Sequence, residues 1–458
     1  KGVHLLQALA TFLSAHCINR HMTIVKVGAG VLLTWLSLVQ NSLSAHAALC
    51  RSNRDCSSLN SHCANGSCHC KAGWGGATCN EHMLTPNSGP GASVSSQSAS
   101  SSQGDGEVVH PYLQDLFHQL DARLPHGQYR IPSLLTTNKG TLLAFVLGRM
   151  HRRDITPNIV YMRRSTDDGN SWQAAMPILS DPSNRTEFGG VPVLDPATGA
   201  VHFIHNAATA RQCSACKLRA ISSFDDGMTW SSSLPVNVTG PVNATWGGGL
   251  ASGIALKSGR HAGRLLVALR SDCGCGQKMG SFVVFSDDHG ATWAGGAPMQ
   301  LLPQYGGGWT ECEVAELQNG SVLMTSRNFF GLSSGQGPRL FARSDDGGET
   351  WAANWTALDL LDPYCEGSVL SNAAGGLYFG NPSNARYRAN YSIHASYDGG
   401  LSWPAGVVIY PGGSGYSDLA FTRNGSIAVL FEKDNYNTIS FGVVPVPMHG
   451  DPYDPLVI

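Results

Sequence analysis

Charge is scarce in this sequence: 14% of its 458 residues are Asp, Glu, Lys or Arg, against about 25% in ordinary domains. The 30 basic and 32 acidic residues leave a formal net charge of −2. That balance lacks the electrostatic footprint of a nucleic-acid-binding protein or of one drawn to an anionic membrane surface. Long apolar runs are missing as well, which excludes a chain that crosses a membrane many times as helices. Glycine, in contrast, is plentiful. Its 54 residues are roughly 12% of the chain where about 7% is usual. Few charges and many glycines argue against a helical bundle and for many strands joined by tight turns. Cysteine numbers 13, an odd count that cannot all pair within one chain.

Met22 opens a processing segment. Lys26 supplies a positive start, Val27 to Val39 is apolar, and Ala45-His46-Ala47 places small residues where a signal peptidase reads. The apolar stretch has 13 residues, too few for a bilayer core of about 30 Å, which needs roughly 20. Residues 22–47 are therefore read as a signal peptide, with an uncleaved anchor as the alternative. Residues 1–21 are then expected to lie outside the mature protein. Eight Asn-x-Ser/Thr triplets, at Asn65, Asn184, Asn237, Asn243, Asn319, Asn354, Asn390 and Asn424, agree with export. A secreted or extracellular protein is expected, with a lysosomal or surface-anchored one as the less favoured reading.

Six cysteines crowd into residues 50–79: Cys50, Cys56, Cys63, Cys68, Cys70 and Cys79. So short a segment cannot bury enough core to fold alone and needs staples, each bridge contributing about 2–4 kcal/mol. Spacing alone leaves all pairings open, and a zinc cluster competes, although export favours disulfides. The pattern, with Cys70-Lys71-Ala72-Gly73-Trp74 near its end, resembles the EGF-like module, here spanning 48–80. The resemblance implies bridges Cys50–Cys63, Cys56–Cys68 and Cys70–Cys79, and adhesion or positioning through a protein or cell-surface partner; a plain spacer is the other reading. Calcium-binding versions carry acidic residues before the first cysteine, where this chain has Ala48-Leu49. Residues 81–110 collapse to Ser, Gly, Gln and Pro and read as a flexible linker.

Beyond residue 110 one pattern recurs. Ser-x-Asp-x-Gly-x-x-Trp occupies 165–172, 223–230, 286–293, 344–351 and 396–403, with starts 58, 63, 58 and 52 residues apart. Periods of this size mean a stacked or radial array. The residue types suit a hairpin: Asp accepts hydrogen bonds from turn amides, Gly supplies a positive φ, and Trp buries a large ring. Flanking runs such as 141–145 and 281–285 read as strands. Residues 111–458 divide into six periods, so an all-β fold, a six-bladed β-propeller with one blade lacking the signature, is expected.

The repeats resemble the Asp boxes of the sialidase family, which lie away from the active site and establish architecture, not activity. Other residues carry the fuller resemblance, which covers essentially all of 111–458. Tyr129-Arg130-Ile131-Pro132 is similar to the family's Arg-Ile-Pro motif, whose arginine holds the sialic acid carboxylate. Arg149 and Asp154 follow, resembling a supporting arginine and the acid/base aspartate. Trp309-Thr310-Glu311-Cys312-Glu313 precedes Ser326-Arg327-Asn328, similar to the glutamate that activates the nucleophile and the second carboxylate-binding arginine. Arg388 fits the third arginine, with Arg386 as the fallback. Ser414-Gly415-Tyr416-Ser417-Asp418 resembles the nucleophilic tyrosine segment, and Glu432 the glutamate that orients the first arginine.

These types answer a chemical need. Sialic acid carries its carboxylate on the anomeric carbon, and arginine forks bind that anion bidentately. A carboxylate nucleophile would meet like charge there. A neutral phenol avoids it, provided a base takes its proton, because free Tyr has a pKa near 10. The resemblance thus implies Tyr416 as nucleophile, Glu311 as its base and Asp154 as acid/base, with retention; Glu313 and Glu316 compete with Glu311. His151 is not required, and Asp418 reads as turn chemistry. Of the remaining cysteines, Cys213, Cys216, Cys273 and Cys275 read as two bridges, with zinc as the alternative. A Cys312–Cys365 bridge would stiffen one side of the site.

The expectation is an exo-α-sialidase acting on sialylated glycoconjugates, with no metal, cofactor or nucleic-acid partner. A trans-sialidase or a non-catalytic sialic-acid lectin is the alternative.

Overall fold

The computed structural model describes residues 112–119, 127–153, 156–183, 185–209, 218–240, 251–270, 280–299, 309–328, 339–357, 359–404 and 406–445, with four short strands between 61 and 82. The chain divides into two compact units, Lys1–Asp105 and Gly106–Ile458. In the first, Ser61–Ala64 pairs antiparallel with Ser67–Cys70, and Trp74–Gly75 with Glu81–His82. The expected signal peptide and linker and the pairing of the six cysteines lie outside the described residues. No described helix is long and apolar enough to cross a membrane.

The second unit is all-β, as its glycine content and turn repeats lead one to expect. Its strands are short, and several are apolar throughout. Every residue of Leu142–Arg149 is buried, because the strand is covered on both faces by neighbouring sheets; a continuous apolar run is the pattern such burial demands. Four sheets follow one another along the chain. Each has four or five strands, and the strand at one edge is Gln128–Thr136, Thr186–Leu194, Ile254–Ala255 and Trp309–Glu316 in turn.

The fifth sheet differs from expectation. Six separate blades were expected, but Ser368–Ser371 opens one sheet of seven strands. The cause is the 15-residue strand Val407–Phe421. Its first half pairs with Ala389–Ser396 and its second half with Ile427–Lys433, so hydrogen bonding runs on unbroken.

The innermost strands contact one another in a closed circle: Gln128–Thr136, Thr186–Leu194, Ile254–Ala255, Trp309–Glu316, Ser368–Ser371 and Val407–Phe421, which returns to the first. Apolar cores fill the spaces between neighbours. Phe145, Met162 and Phe203 share one such core, and Val283, Val314 and Met324 another. A further core, with Tyr391, Ile393, Val429 and Phe431, lies between the two halves of the seven-stranded sheet. The early strand Gln114–His118 pairs with Thr438–Val444, the last described strand. This joins the beginning of the unit to its end and covers the edge that Thr438–Val444 would otherwise present, with Gln114–His118 as the outermost strand.

All five Asp boxes form the expected turn. In the first, Ser165 Oγ donates to Asp167 Oδ1 at 2.7 Å and accepts from Gly169 N at 2.9 Å. The bonds recur from Ser223 to Ser396. The φ of Gly169 is +87° and that of the preceding Asp168 is +57°, so the turn depends on a residue with no Cβ penalty. Trp293 and Trp403 are buried; each donates its indole N–H to the carbonyl of its own turn glycine.

Candidate active site

Strand register separates the Asp boxes from the rest of the chemistry. Leu142 pairs with Ser165, whereas Arg149 pairs with Asn158. Likewise Leu265 pairs with Ser286, and Arg270 with Ser281. The turn aspartates and these arginines therefore lie at opposite ends of their strands.

Three of the expected residues sit at breaks in strand pairing. Pro132 has no N–H to place in a ladder, and the register shifts between Arg130 and Ser133. Ile131 is held there at φ +57°, an outlier for a β-branched residue. Register also shifts between Trp309 and Cys312, around Glu311, and between Ser414 and Ser417, around Tyr416. A bulge re-aims a side chain and releases a backbone N–H from the ladder. Two backbone groups at these breaks converge on one carboxylate. Ile131 N donates to Glu432 Oε1 and Tyr416 N to Glu432 Oε2, both at 3.0 Å. Arg130 Nε donates to the same Oε1 at 2.5 Å. Glu432 is wholly buried, so these donors replace its lost hydration.

Next to this clamp stands a phenol–carboxylate pair. The Tyr416 hydroxyl donates to Glu311 Oε1. Arg270 Nη1 donates to that oxygen at 3.1 Å, and Arg327 Nη1 to Oε2 at 2.7 Å. Arg327 Nη1 also lies 3.1 Å from the Tyr416 oxygen. Burial by itself would raise the Glu311 carboxyl, but the Arg327 and Arg270 charges and the Tyr416 hydrogen bond hold it below the ordinary range. Burial and the Glu311 charge push the Tyr416 phenol well above its usual value, against the pull of Arg327 and Arg388. At rest the pair is a neutral phenol on a carboxylate. Such a carboxylate can take the proton as the phenol oxygen attacks.

Guanidiniums surround the Tyr416 ring. Those of Arg130 and Arg388 lie 5.6 and 5.5 Å from its centroid. Tyr364 and Tyr436 hold them in place. Arg327 stacks 3.9 Å over the Tyr364 ring and Arg130 4.3 Å over Tyr436. Arg388 donates to the Tyr364 carbonyl at 3.0 Å and to the Tyr436 hydroxyl at 3.3 Å.

The structure thus brings together Arg130, Glu311, Arg327, Arg388, Tyr416 and Glu432. Arg149 is buried at the end of its strand. Asp154 lies outside the described residues, as do Cys213, Cys216, Cys273 and Cys275. Among the competing glutamates, Glu311 is the one that meets Tyr416. Glu316 accepts from Lys257 N and Ser258 N, and Glu313 from Val369 N. Arg388, not the exposed Arg386, reaches the ring. Among the described residues no group of three His, Cys, Asp or Glu side chains is arranged to hold a metal.

Two expectations are corrected. Cys312 and Cys365 are both free thiols. Cys312 follows Glu311 and packs into an apolar core with Leu256 and Trp309, while Cys365 lies under Tyr416. Asp418 is in no turn; it lies wholly buried in Val407–Phe421 and accepts from Leu134 N at 2.7 Å. The residues missed are Arg270, Tyr364 and Tyr436. For Arg270 a signal existed: it precedes Ser286 by the same interval as Arg149 precedes Ser165.

Asp418 belongs to a buried acid cluster with Glu313 and Glu366. Burial pushes all three carboxyls up, helped in Glu313 by the neighbouring Asp418 and Glu366 charges; Asp418 is pushed up to about 7. A raised carboxyl stabilises the fold fully below the ordinary carboxylate range, near pH 4, and that stability is lost as pH rises through the folded value. Thermal melts at pH 5 and pH 8 should therefore show a smaller loss of Tm in Glu313→Gln than in the unchanged protein. Equal losses would remove the cluster as the cause.

Residues 132–429 match the family model described as the BNR repeat-like domain. A sialidase from Micromonospora viridifaciens is 30% identical over 391 residues, covering 75% of this chain and 57% of that protein. Among solved structures, the Hadza microbial sialidase Hz136 aligns with a TM-score of 0.60 at 26% identity, over 70% of this chain and 66% of that one. The leech intramolecular trans-sialidase aligns at 0.59 and 19% identity, over 74% and 70%; so distant a likeness shows the fold alone. The family model takes in 298 of the 458 residues, including all five Asp boxes, and the chain belongs to the BNR repeat-like domain family.

Proposed function

We propose that this protein is a retaining exo-α-sialidase that releases terminal sialic acid from glycoproteins, glycolipids or oligosaccharides. The observation that carries the reading is the Tyr416 hydroxyl donating to the Glu311 carboxylate within a ring of three guanidiniums. Arg130, Arg327 and Arg388 bind the substrate carboxylate and so present the anomeric carbon to Tyr416. As the tyrosine oxygen bonds to that carbon, its proton passes to Glu311 and the glycosidic bond breaks, with Asp154 protonating the leaving oxygen. Asp154 then draws a proton from water, which displaces the tyrosine as Glu311 returns the proton to the leaving phenol oxygen; two inversions give net retention. Arg149 supports the site. The sialidase names of the relatives above support the substrate class.

In the same reading the ring is a six-bladed propeller. Val407–Phe421 is shared by two blades, a division supported by the circle of six inner strands and by the core inside the seven-stranded sheet. Export through the 22–47 segment and positioning by an EGF-like module at 48–80 complete the proposal.

The test is release of a fluorophore from an α-sialoside, with proton NMR of the first anomer formed. The expected product is the α-anomer of free sialic acid. Binding without release would mean a lectin, and a sialylated lactose formed when lactose is added would mean transfer. A β-anomer formed first would exclude the tyrosyl route.

A further inference from the structure

Glu311 has two cationic partners, but only Arg327 belongs to the three arginines assigned to the substrate. Arg327 is already divided: its Nη1 is 2.7 Å from Glu311 and 3.1 Å from the Tyr416 oxygen. Arg130 is engaged with Glu432. A substrate carboxylate arriving on Arg327 brings a second anion to the guanidinium that serves Glu311. Arg270 enters from the end of Leu265–Arg270, in the sheet before that of Glu311, and reaches Oε1, the oxygen that must receive the Tyr416 proton.

We propose that Arg270 is a positioning residue: it fixes the Glu311 carboxylate on the Tyr416 hydroxyl and supplies the positive charge that Arg327 yields to the substrate. This rests on the sialidase reading. The groups facing Glu311 are Arg270, Arg327, Tyr416, Tyr364 and Glu366, with Arg388 acting across the Tyr416 ring. Of these, Arg270 is the cation without an assigned substrate role. Its side chain is 28% exposed against 11% for Arg327, so it is weaker but constant.

The experiment compares the full chain with Arg270→Gln and Arg270→Lys. In Arg270→Gln the acid limb of the kcat/KM profile should move up by about one pH unit, a roughly tenfold loss below the limb that recovers at higher pH. KM should stay nearly constant, and Arg270→Lys should keep the limb close to its original place. A uniform loss at every pH, an unmoved limb, or equal shifts in both variants would overturn the proposal. Difference infrared titration of the Glu311 carboxyl, with Glu311→Gln as the blank, reads the same displacement without turnover. An unchanged protein that cleaves no sialoside would overturn the sialidase reading, while the infrared titration would still decide the role of Arg270 toward Glu311.

Discussion

Tyr416→Phe is expected to lower kcat by roughly 10³-fold or more, since losing a positioned base alone typically costs about 10²–10⁴ and this change removes the nucleophilic oxygen itself. The fold should persist. Glu311 keeps Arg327 and Arg270 when the hydroxyl is gone, so no buried charge is left without a partner. The remaining ring still packs on Cys365 and Ile131. Substrate binding should change little, because the guanidiniums retain their other partners. Steady-state kinetics beside a thermal melt separate these effects. Full activity in the variant would mean that Tyr416 is not the attacking group.

Glu432→Ala should have the largest effect on stability. It strips the Arg130 guanidinium, which is 8% exposed, of its partner and leaves the N–H groups of Ile131 and Tyr416 without their acceptor. Removing one partner of a buried ion pair costs about 3–5 kcal/mol, because the other charge stays in place uncompensated. Activity should fall too, since Glu432 fixes both the first arginine and the tyrosine backbone. Glu432→Gln retains an acceptor and should lose less on both counts. An Ala variant that melts with the unchanged protein would show that the clamp is not what orders these strands.

What could be read in the sequence follows from how local each feature is. An Asp box closes its hydrogen bonds within eight residues, so Ser165, Asp167, Gly169 and Trp172 announce the turn by themselves. The candidate-site cluster was legible through resemblance, since Arg130, Glu311 and Tyr416 each sit in a short recognisable context. Arg270 has no such context. It reaches Glu311 only because two sheets pack side by side, a contact that spans 41 positions. Asp418 misled for the opposite reason: Ser-Gly-Tyr-Ser-Asp has a turn's composition, yet the bulge around Tyr416 absorbs the irregularity and the strand continues. Cys312 and Cys365 looked pairable because both flank the site. Strand alternation sends Cys312 into the core behind Glu311.

The closure of the ring also sets where the protein is mechanically sensitive. The seam between the last sheet and the first is crossed by Glu432 to Arg130, Asp418 to Leu134 and Gln114 to Gly169. Tyr416 stands on one bank of that seam and Arg130 on the other, while Glu311 belongs to the Trp309–Glu316 sheet. A fluctuation that parted the banks and left the remaining sheets intact would silence the chemistry with little change in strand content. Catalytic rate therefore gauges the integrity of the seam, and amide hydrogen exchange at Leu134 and Tyr416 should follow its loss.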